Sequence, residues 1–525
     1  MTFSRTLKQT LSTLSLGVLV ALGACSKSSK DAATIRMRIP TDPPTIDWSL
    51  ATDSVSKEVI TPLQEGLLNQ TTGTDIEPGL AESWTIDPTG KIYEFTLRQG
   101  AKWSDGAPVT AQQFVDSWER LLNPATASEY AYFLFDVKGA EDYQSGKTKD
   151  FATVGVKAVN ERLLRVELKH AASYWIHVPS FWVTFPIRKD LIAKFGDQWT
   201  LPGNLVTTGP YMLKEWKRES RILLEKNPNF YGFEQIKNAP AKVEFRTVKE
   251  GAIAVTLFKN KEIDILRDPP PIQVPVLSKM PEFVSSTYFR GYYIAFNTKD
   301  PRVADVNVRR AIAMSIDRNE IGKILAGVVT PSKTWIPSPM LGNDESLGID
   351  YNPEKAKELW NGLKNKPQNV EIWFDSGERN KIIAENFQSQ VKKVLGLDLV
   401  IQVQEWKVYL KTLSSATPSL WRLGWAADYP DPDNFMNIFT CSSGNNFTKF
   451  CSKDYDKWIN EAAGEQNPKK RVELYTKAQK MLIEDEVAFI PLFTELALHM
   501  IAPRVKGFHV NPVGDFSFKR ITLEP

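Results

Sequence analysis

The densest group of side chains able to do chemistry is the run Asp428-Tyr429-Pro430-Asp431-Pro432-Asp433. Carboxylates this close can share a proton, hold a hard cation or meet an ammonium group. A calcium loop needs a glycine at its sharp turn, and prolines stand in the way here. A glycosidase pair would match the residue types only. Asp beside Pro also shapes turns, and Asp431 and Asp433 read most simply that way. His170, His177, His499 and His509 lack ligand spacing to one another or to the cysteines, so no metal site is expected. There is no Gly-x-Ser-x-Gly elbow, no His-Glu-x-x-His and no glycine loop for phosphate, which speaks against an enzyme and calls for no cofactor.

The three cysteines divide into two kinds. Cys25 ends the sequence Leu22-Gly23-Ala24-Cys25, which follows an uncharged apolar stretch from Leu11 to Leu22 with Arg5 and Lys8 ahead of it. That pattern is an export signal over residues 1–24, too short to span a bilayer at about 20 apolar residues. Its ending resembles a bacterial lipobox, in which the cysteine sulfur carries a lipid and the residue becomes the new N-terminus. Residues 25–33 are small and polar, as a tether between lipid and folded body would be. Outside the cytoplasm Cys441 and Cys451 are expected to pair across a short polar loop, since two thiols without a nearby His fall short of a zinc set.

The chain has 65 basic and 62 acidic residues, a net +3 that falls to +1 once Arg5 and Lys8 leave with the signal. This near balance indicates neither a nucleic-acid binder nor a basic membrane-surface protein. With 42% hydrophobic and 24% charged residues over 525 positions, two or three compact units are expected. No later segment reaches transmembrane length, which leaves the lipid on Cys25 as the only hold on a membrane.

These side chains need a scaffold, and the periodicity describes a mixed α/β one. Ile92 to Arg98 alternates apolar and polar residues as a half-buried strand does. Thr110 and Gln113 stand in capping-box spacing ahead of Phe114, Trp118, Leu121 and Leu122 on one helical face. Asn352 and Pro353 open a further helix. Val370 to Phe374, a helix from about Arg379 to Leu395, and Leu399 to Val403 read as a β-α-β unit, which implies a largely parallel sheet.

The stretch YEFTLRQGAKWSDGAPVTAQQFVDSWERLLNPATASEYAYFLF resembles the signature of the oligopeptide-binding proteins of ABC importers, the family 5 extracellular solute-binding proteins. DPPTIDWSLATD, TTGPYMLKEWKRESRILLEKNPNFYG, VNVRRAIAMSIDRNEI and GWAADYPDPDNFMN agree with the same family in order along the chain. The resemblance implies a two-lobed periplasmic-binding-protein-like fold of type II, cluster C, with an extra inserted domain. Lobe I would comprise about residues 34–64, 188–285 and 499–525, the inserted domain 65–187, and lobe II 286–498. Repeated crossings between lobes would make a hinge.

The same resemblance implies roles for individual residues. Asp428, in its Ala-Asp-Tyr context, would meet a peptide's ammonium group. Arg422-Leu423-Gly424-Trp425-Ala426 would pair edge-on with the peptide backbone, which grips without reading side chains. Trp406, Trp425 and Tyr130 match pocket-lining aromatics, although aromatic residues at such positions are often plain core. Arg422 matches a basic residue near the ligand and could equally pair with a protein carboxylate. Leu413 and Asn380 are read at places where relatives carry Arg and His for the ligand's carboxylate, with Lys407 as a substitute. The expected partners are short peptides and importer permease subunits, with the protein a monomer in the periplasm or at the cell surface. Murein-derived or modified peptides are an alternative ligand, and a surface scavenger without a permease is an alternative role.

Overall fold

The computed structural model describes residues 33–524. The export signal, Cys25 and most of the tether lie outside the described residues, as do the side chains of Trp406 and Lys407. Eleven strands form one sheet. In chain order they are β1 (Thr34–Ile39), β2 (Tyr211–Lys217), β3 (Arg221–Lys226), β4 (Lys242–Thr247), β5 (Ile265–Arg267), β6 (Phe283–Phe296), β7 (Val329–Pro331), β8 (Val370–Asp375), β9 (Leu399–Gln404), β10 (Leu420–Ala426) and β11 (Phe489–Ile501). Their lateral order is β9-β8-β10-β6-β11-β5-β1-β4-β3-β2, with β7 beside β11.

The sheet is mixed, which corrects the expectation of a largely parallel one. It is parallel where β8 meets β9 and β10 and where β1 meets β4 and β5. The remaining pairs are antiparallel. The reason lies in β6 and β11, the two longest strands, which pair with each other and carry the chain out of one half of the sheet and back again. A chain that leaves and returns beside itself must run antiparallel. Their ladder is regular from Phe283 to Thr287, breaks register between Thr287 and Gly291, and shifts again by one residue between Tyr292 and Tyr293. In the break, Phe289 N–H donates to the Pro512 carbonyl at 2.7 Å, and the Phe289 carbonyl accepts from Ala427 N–H at 2.8 Å.

Beyond this ribbon the sheet is covered on both faces, as period-two alternation along β6 requires. Tyr292, Ile294 and Phe296 face one apolar cluster with Ile372, Ile383 and Phe387. Tyr293 and Ala295 face another with Trp335, Tyr409, Trp421 and Phe489. Helices form where local chemistry predicts them. α1 (Ser54–Leu63) is capped by Asp53, which accepts from Ser56 N–H at 2.9 Å. α2 (Ala111–Leu122) begins with Gln113 accepting from Thr110 N–H at 2.9 Å, and Phe114, Trp118, Leu121 and Leu122 are all buried. α3 (Pro353–Asn361) is capped by Asn352. α4 (Glu378–Leu395) bridges the parallel pair β8 and β9, and α5 (Trp406–Ser415) follows.

A separate antiparallel sheet is built from Ala81–Ile86, Ile92–Leu97, Leu163–Glu167 and Val156–Ala158. Tyr93, Phe95 and Leu97 are buried in alternation with half-exposed neighbours. Their cluster runs without interruption into Ile35, Met37 and Phe245 of the main sheet, so this small sheet shares a core with the β1 half.

Candidate functional site

The site is organised by where β10 loses a neighbour. Along one edge β10 pairs with β6 over its whole length, from Leu420 opposite Phe296 to Ala426 opposite Arg290. Along the other edge it pairs with β8 only at Leu420 and Trp421. The Tyr409 phenol of α5 takes over the next rung, accepting from Arg422 N–H at 3.1 Å and donating to the Arg422 carbonyl at 2.7 Å. Among the described residues no strand continues that edge past Gly424, Trp425 and Ala426. These three residues are half-exposed. A Cβ on Gly424 would come within 3.0 Å of the Gly291 carbonyl oxygen, so glycine keeps this face flat.

Asp428 stands two residues beyond this edge. Asn434 holds the turn by accepting from both Trp425 Nε1 at 2.8 Å and Asp428 N–H at 3.2 Å. Burial pushes the Asp428 carboxyl up to about 6, while the charge of Lys57 on α1 and the Asn434 hydrogen bond hold it back. Burial, and then the Asp428 charge, push the Tyr130 phenol up to about 12, and Tyr132 is raised by the same causes. Asp428 thus interacts electrostatically with Lys57, Tyr130 and Tyr132, which come from distant parts of the chain. It forms no ion pair among the described residues. Tyr130 is packed against Phe133, Phe181 and Trp182 at 5.4 to 6.0 Å between centroids, and its hydroxyl donates to the Thr52 carbonyl at 3.3 Å.

Arg422 pairs with Asp375 at the end of β8, and its guanidinium lies 5.3 Å from the centre of the Tyr292 ring. Arg379 approaches the same ring to 5.9 Å and donates to Glu495 at 2.8 Å, and Arg290 stands 3.5 Å from the same Glu495 oxygen. Two guanidiniums, those of Arg379 and Arg422, therefore lie over the Tyr292 ring, and Arg290 joins them through Glu495. Leu413 is fully buried, and Asn380 is buried with its amide spent on Asp375 and Tyr292, so neither faces the space beside Gly424. Sequence reasoning missed Arg379 and Arg290. Arg379 directly precedes Asn380, and its meeting with Glu495 depends on the tertiary fold.

Asp431 and Asp433 hold the turn from inside. Asp431 makes a buried two-pronged pair with Arg471 at 2.8 and 3.0 Å. Asp433 accepts from the Tyr429 hydroxyl at 2.9 Å and Asn437 Nδ2 at 2.8 Å, and burial together with the neighbouring Asp431 charge pushes it up to about 7. Cys441 and Cys451 are joined as a disulfide with 4.7 Å between their Cα atoms. Among the described residues no group of three His, Cys, Asp or Glu could hold a metal, and no helix is long and apolar enough to cross a membrane.

Residues 75–447 match the family model described as bacterial extracellular solute-binding proteins, family 5, middle region. The chain belongs to that family. Family 5 relatives match nearly end to end. The oligopeptide-binding protein OppA of Bacillus subtilis (strain 168) is 31% identical over 97% of this chain and 96% of its own length. The periplasmic murein peptide-binding protein MppA of Escherichia coli (strain K12) is 31% identical over 92% of this chain and 91% of its own. Among solved structures, the Escherichia coli murein tripeptide binding protein MppA aligns with a TM-score of 0.79 at 29% identity, covering 93% of this chain and 98% of that one. Haemophilus influenzae OppA in complex with RPPGFSPFR aligns at 0.76 and 27%, covering 94% and 99%. The family 5 fold is two-lobed.

Proposed function

We propose that this chain is the substrate-binding component of an ABC importer, closing its lobes on a short peptide and delivering it to a membrane permease. The observation that carries the reading is the open edge Gly424–Trp425–Ala426 ending at Asp428, a half-buried carboxylate that forms no ion pair among the described residues. A peptide matches both features at once, since its backbone supplies strand hydrogen bonds and its ammonium supplies the missing charge. The printed names of OppA and MppA support the ligand class.

In this reading Arg422 orients Tyr292 and Asp375 beside the peptide. Tyr130 and Trp425 line the walls for side chains, and Trp406 is assigned to the same walls. Lobe I is assigned residues 34–64, 188–285 and 499–525, the inserted domain 65–187 and lobe II 286–498. The protein acts as a monomer, catalyses no reaction and is held to a bacterial membrane by lipid on Cys25. A second reading, a murein-derived peptide as ligand, is favoured by the likeness to MppA.

Native mass spectrometry of the purified protein, followed by calorimetry with the masses it reveals, tests the proposal. Peptide masses retained in the folded protein are expected. A non-peptide ligand, or no heat with any peptide, would overturn it.

A further inference from the structure

The two faces of β10 are set by its register with β6. Tyr292 stands opposite Gly424 and Arg290 opposite Ala426, and residues directly opposite one another in an antiparallel pair point to the same face. Arg290, Tyr292, Gly424 and Ala426 therefore share one face with Arg422. Gly424 and Ala426 put almost no side chain there, which leaves a bare strip of β10 next to the open edge. Arg290 leans across that strip, with its Nε 4.0 Å from where a Cβ on Gly424 would stand. Its donors are unspent. Arg379 donates to Glu495 at 2.8 Å, and Arg422 pairs with Asp375. Arg290 approaches the same Glu495 oxygen only to 3.5 Å, donates no hydrogen bond among the described residues and keeps 40% of its side chain exposed. A guanidinium in that condition offers a planar fork of N–H groups matched to a carboxylate.

Resting on the peptide reading above, we infer that Arg290 is a ligand-binding residue that grips a carboxylate on the third or fourth residue of the peptide. A ligand whose ammonium meets Asp428 and whose backbone follows the open edge runs back toward Gly424, antiparallel to β10. Gly424 stands four residues before Asp428, at most about 13 Å along the chain at about 3.3 Å per residue. An extended peptide covers that distance in about three to four residues. The carboxylate at this place is either the end of a short peptide or an acidic side chain within a longer one. In both cases the forked, charge-assisted contact fixes how far from the ammonium a negative group must lie.

Calorimetry on the soluble protein with tetra-alanine, its carboxyl-terminal amide and the amide of Ala-Ala-Glu-Ala tests this, since all three keep the ammonium for Asp428. With a terminal carboxylate as the group held, the unaltered protein is expected to bind tetra-alanine about 30-fold more tightly than either amide. With a side chain as the group held, the glutamate amide instead binds about 30-fold more tightly than the alanine amide. Arg290→Met is expected to bring the three within about threefold, and Arg290→Lys to keep the same preference at a smaller size. Equal affinity for all three in the unaltered protein, or a preference that survives Arg290→Met, overturns the role of Arg290 and leaves the peptide reading standing. Failure of every free-amine alanine peptide, shorter or longer, to bind the unaltered protein overturns the peptide reading and this inference with it.

Discussion

Tyr174 and Tyr429 stack face to face, with ring centres 5.2 Å apart and planes 11° from parallel. Tyr174 comes from the segment Ser173–Ser180 and Tyr429 from the turn after β10, so the stack ties two distant parts of the chain at one rim of the site. Each phenol is fixed by a carboxylate, Tyr174 by Asp136 at 2.8 Å and Tyr429 by Asp433 at 2.9 Å. Ser173 adds a hydrogen bond to the Ala463 carbonyl at 3.2 Å. Such a stack is worth about 1 kcal/mol to an arrangement that joins these two parts of the chain. Tyr174→Ala is expected to weaken peptide binding about fivefold and to enlarge the ligand-free particle in solution scattering. Unchanged affinity and unchanged scattering would show that the rim holds without it.

Replacing Asp428 by Asn keeps the shape and removes the charge. Breaking one side of an enclosed ion pair costs about 3 to 5 kcal/mol. Calorimetry with a free-amine peptide is therefore expected to show affinity lower by roughly 100-fold or more. The same peptide with an acetylated amino terminus should bind both proteins equally poorly, which separates loss of this contact from misfolding.

Acidity should act through the same carboxylate. Asp428 titrates near 6 in the empty protein, and an ammonium beside it favours the charged form, so its value in the complex lies lower. Above about pH 6 the carboxylate is already charged and affinity is level; below it the peptide must displace a proton, and affinity falls by about tenfold per pH unit. At the alkaline end the peptide amine, which loses its proton at about 8, sets the opposite limit. Titrations from pH 5 to pH 9 should trace this plateau, and Asp428→Asn should lose its acid arm.

Asp433 makes a prediction about stability instead. Its folded value, about 7, lies above the ordinary carboxylate value, so the folded protein keeps a proton that the unfolded chain releases near 4. Stability from this group is therefore full below about pH 4 and is lost as pH rises to about 7, by roughly 2 to 4 kcal/mol in all. Asp433→Asn should melt with a flatter pH dependence across that window. A thermal unfolding series with identical slopes for both proteins would refute the assignment.

The elements of this fold were legible where the code is local. The cap of α2 and the β8-α4-β9 unit follow from residues within a few positions of one another, because helices and strands repeat every 3.6 and 2 residues. Strand order was not legible in the same way. Nothing near Phe283 announces that its partner is Met500, and the sheet's mixed character rests on that pairing. The site divides likewise. Asp428 and Gly424 stood out in a continuous stretch, whereas Arg290, Arg379 and Glu495 meet only through folding, and Lys57 sits in a helix whose pattern marks it as ordinary. The burial of Leu413 and the spending of the Asn380 amide on Asp375 and Tyr292 were likewise not legible, since they depend on partners far away in the chain.

The register break between Thr287 and Gly291 has a mechanical meaning. Residues there are excused from the ladder between β6 and β11, so a twist of the two-strand ribbon at that point breaks none of its rungs and works only against the Phe289 hydrogen bonds to Pro512 and Ala427. A flexure of this kind resists shear in its own plane and yields about one axis. Movement between the two halves of the sheet, where the ligand reading calls for it, is therefore expected to follow a single track.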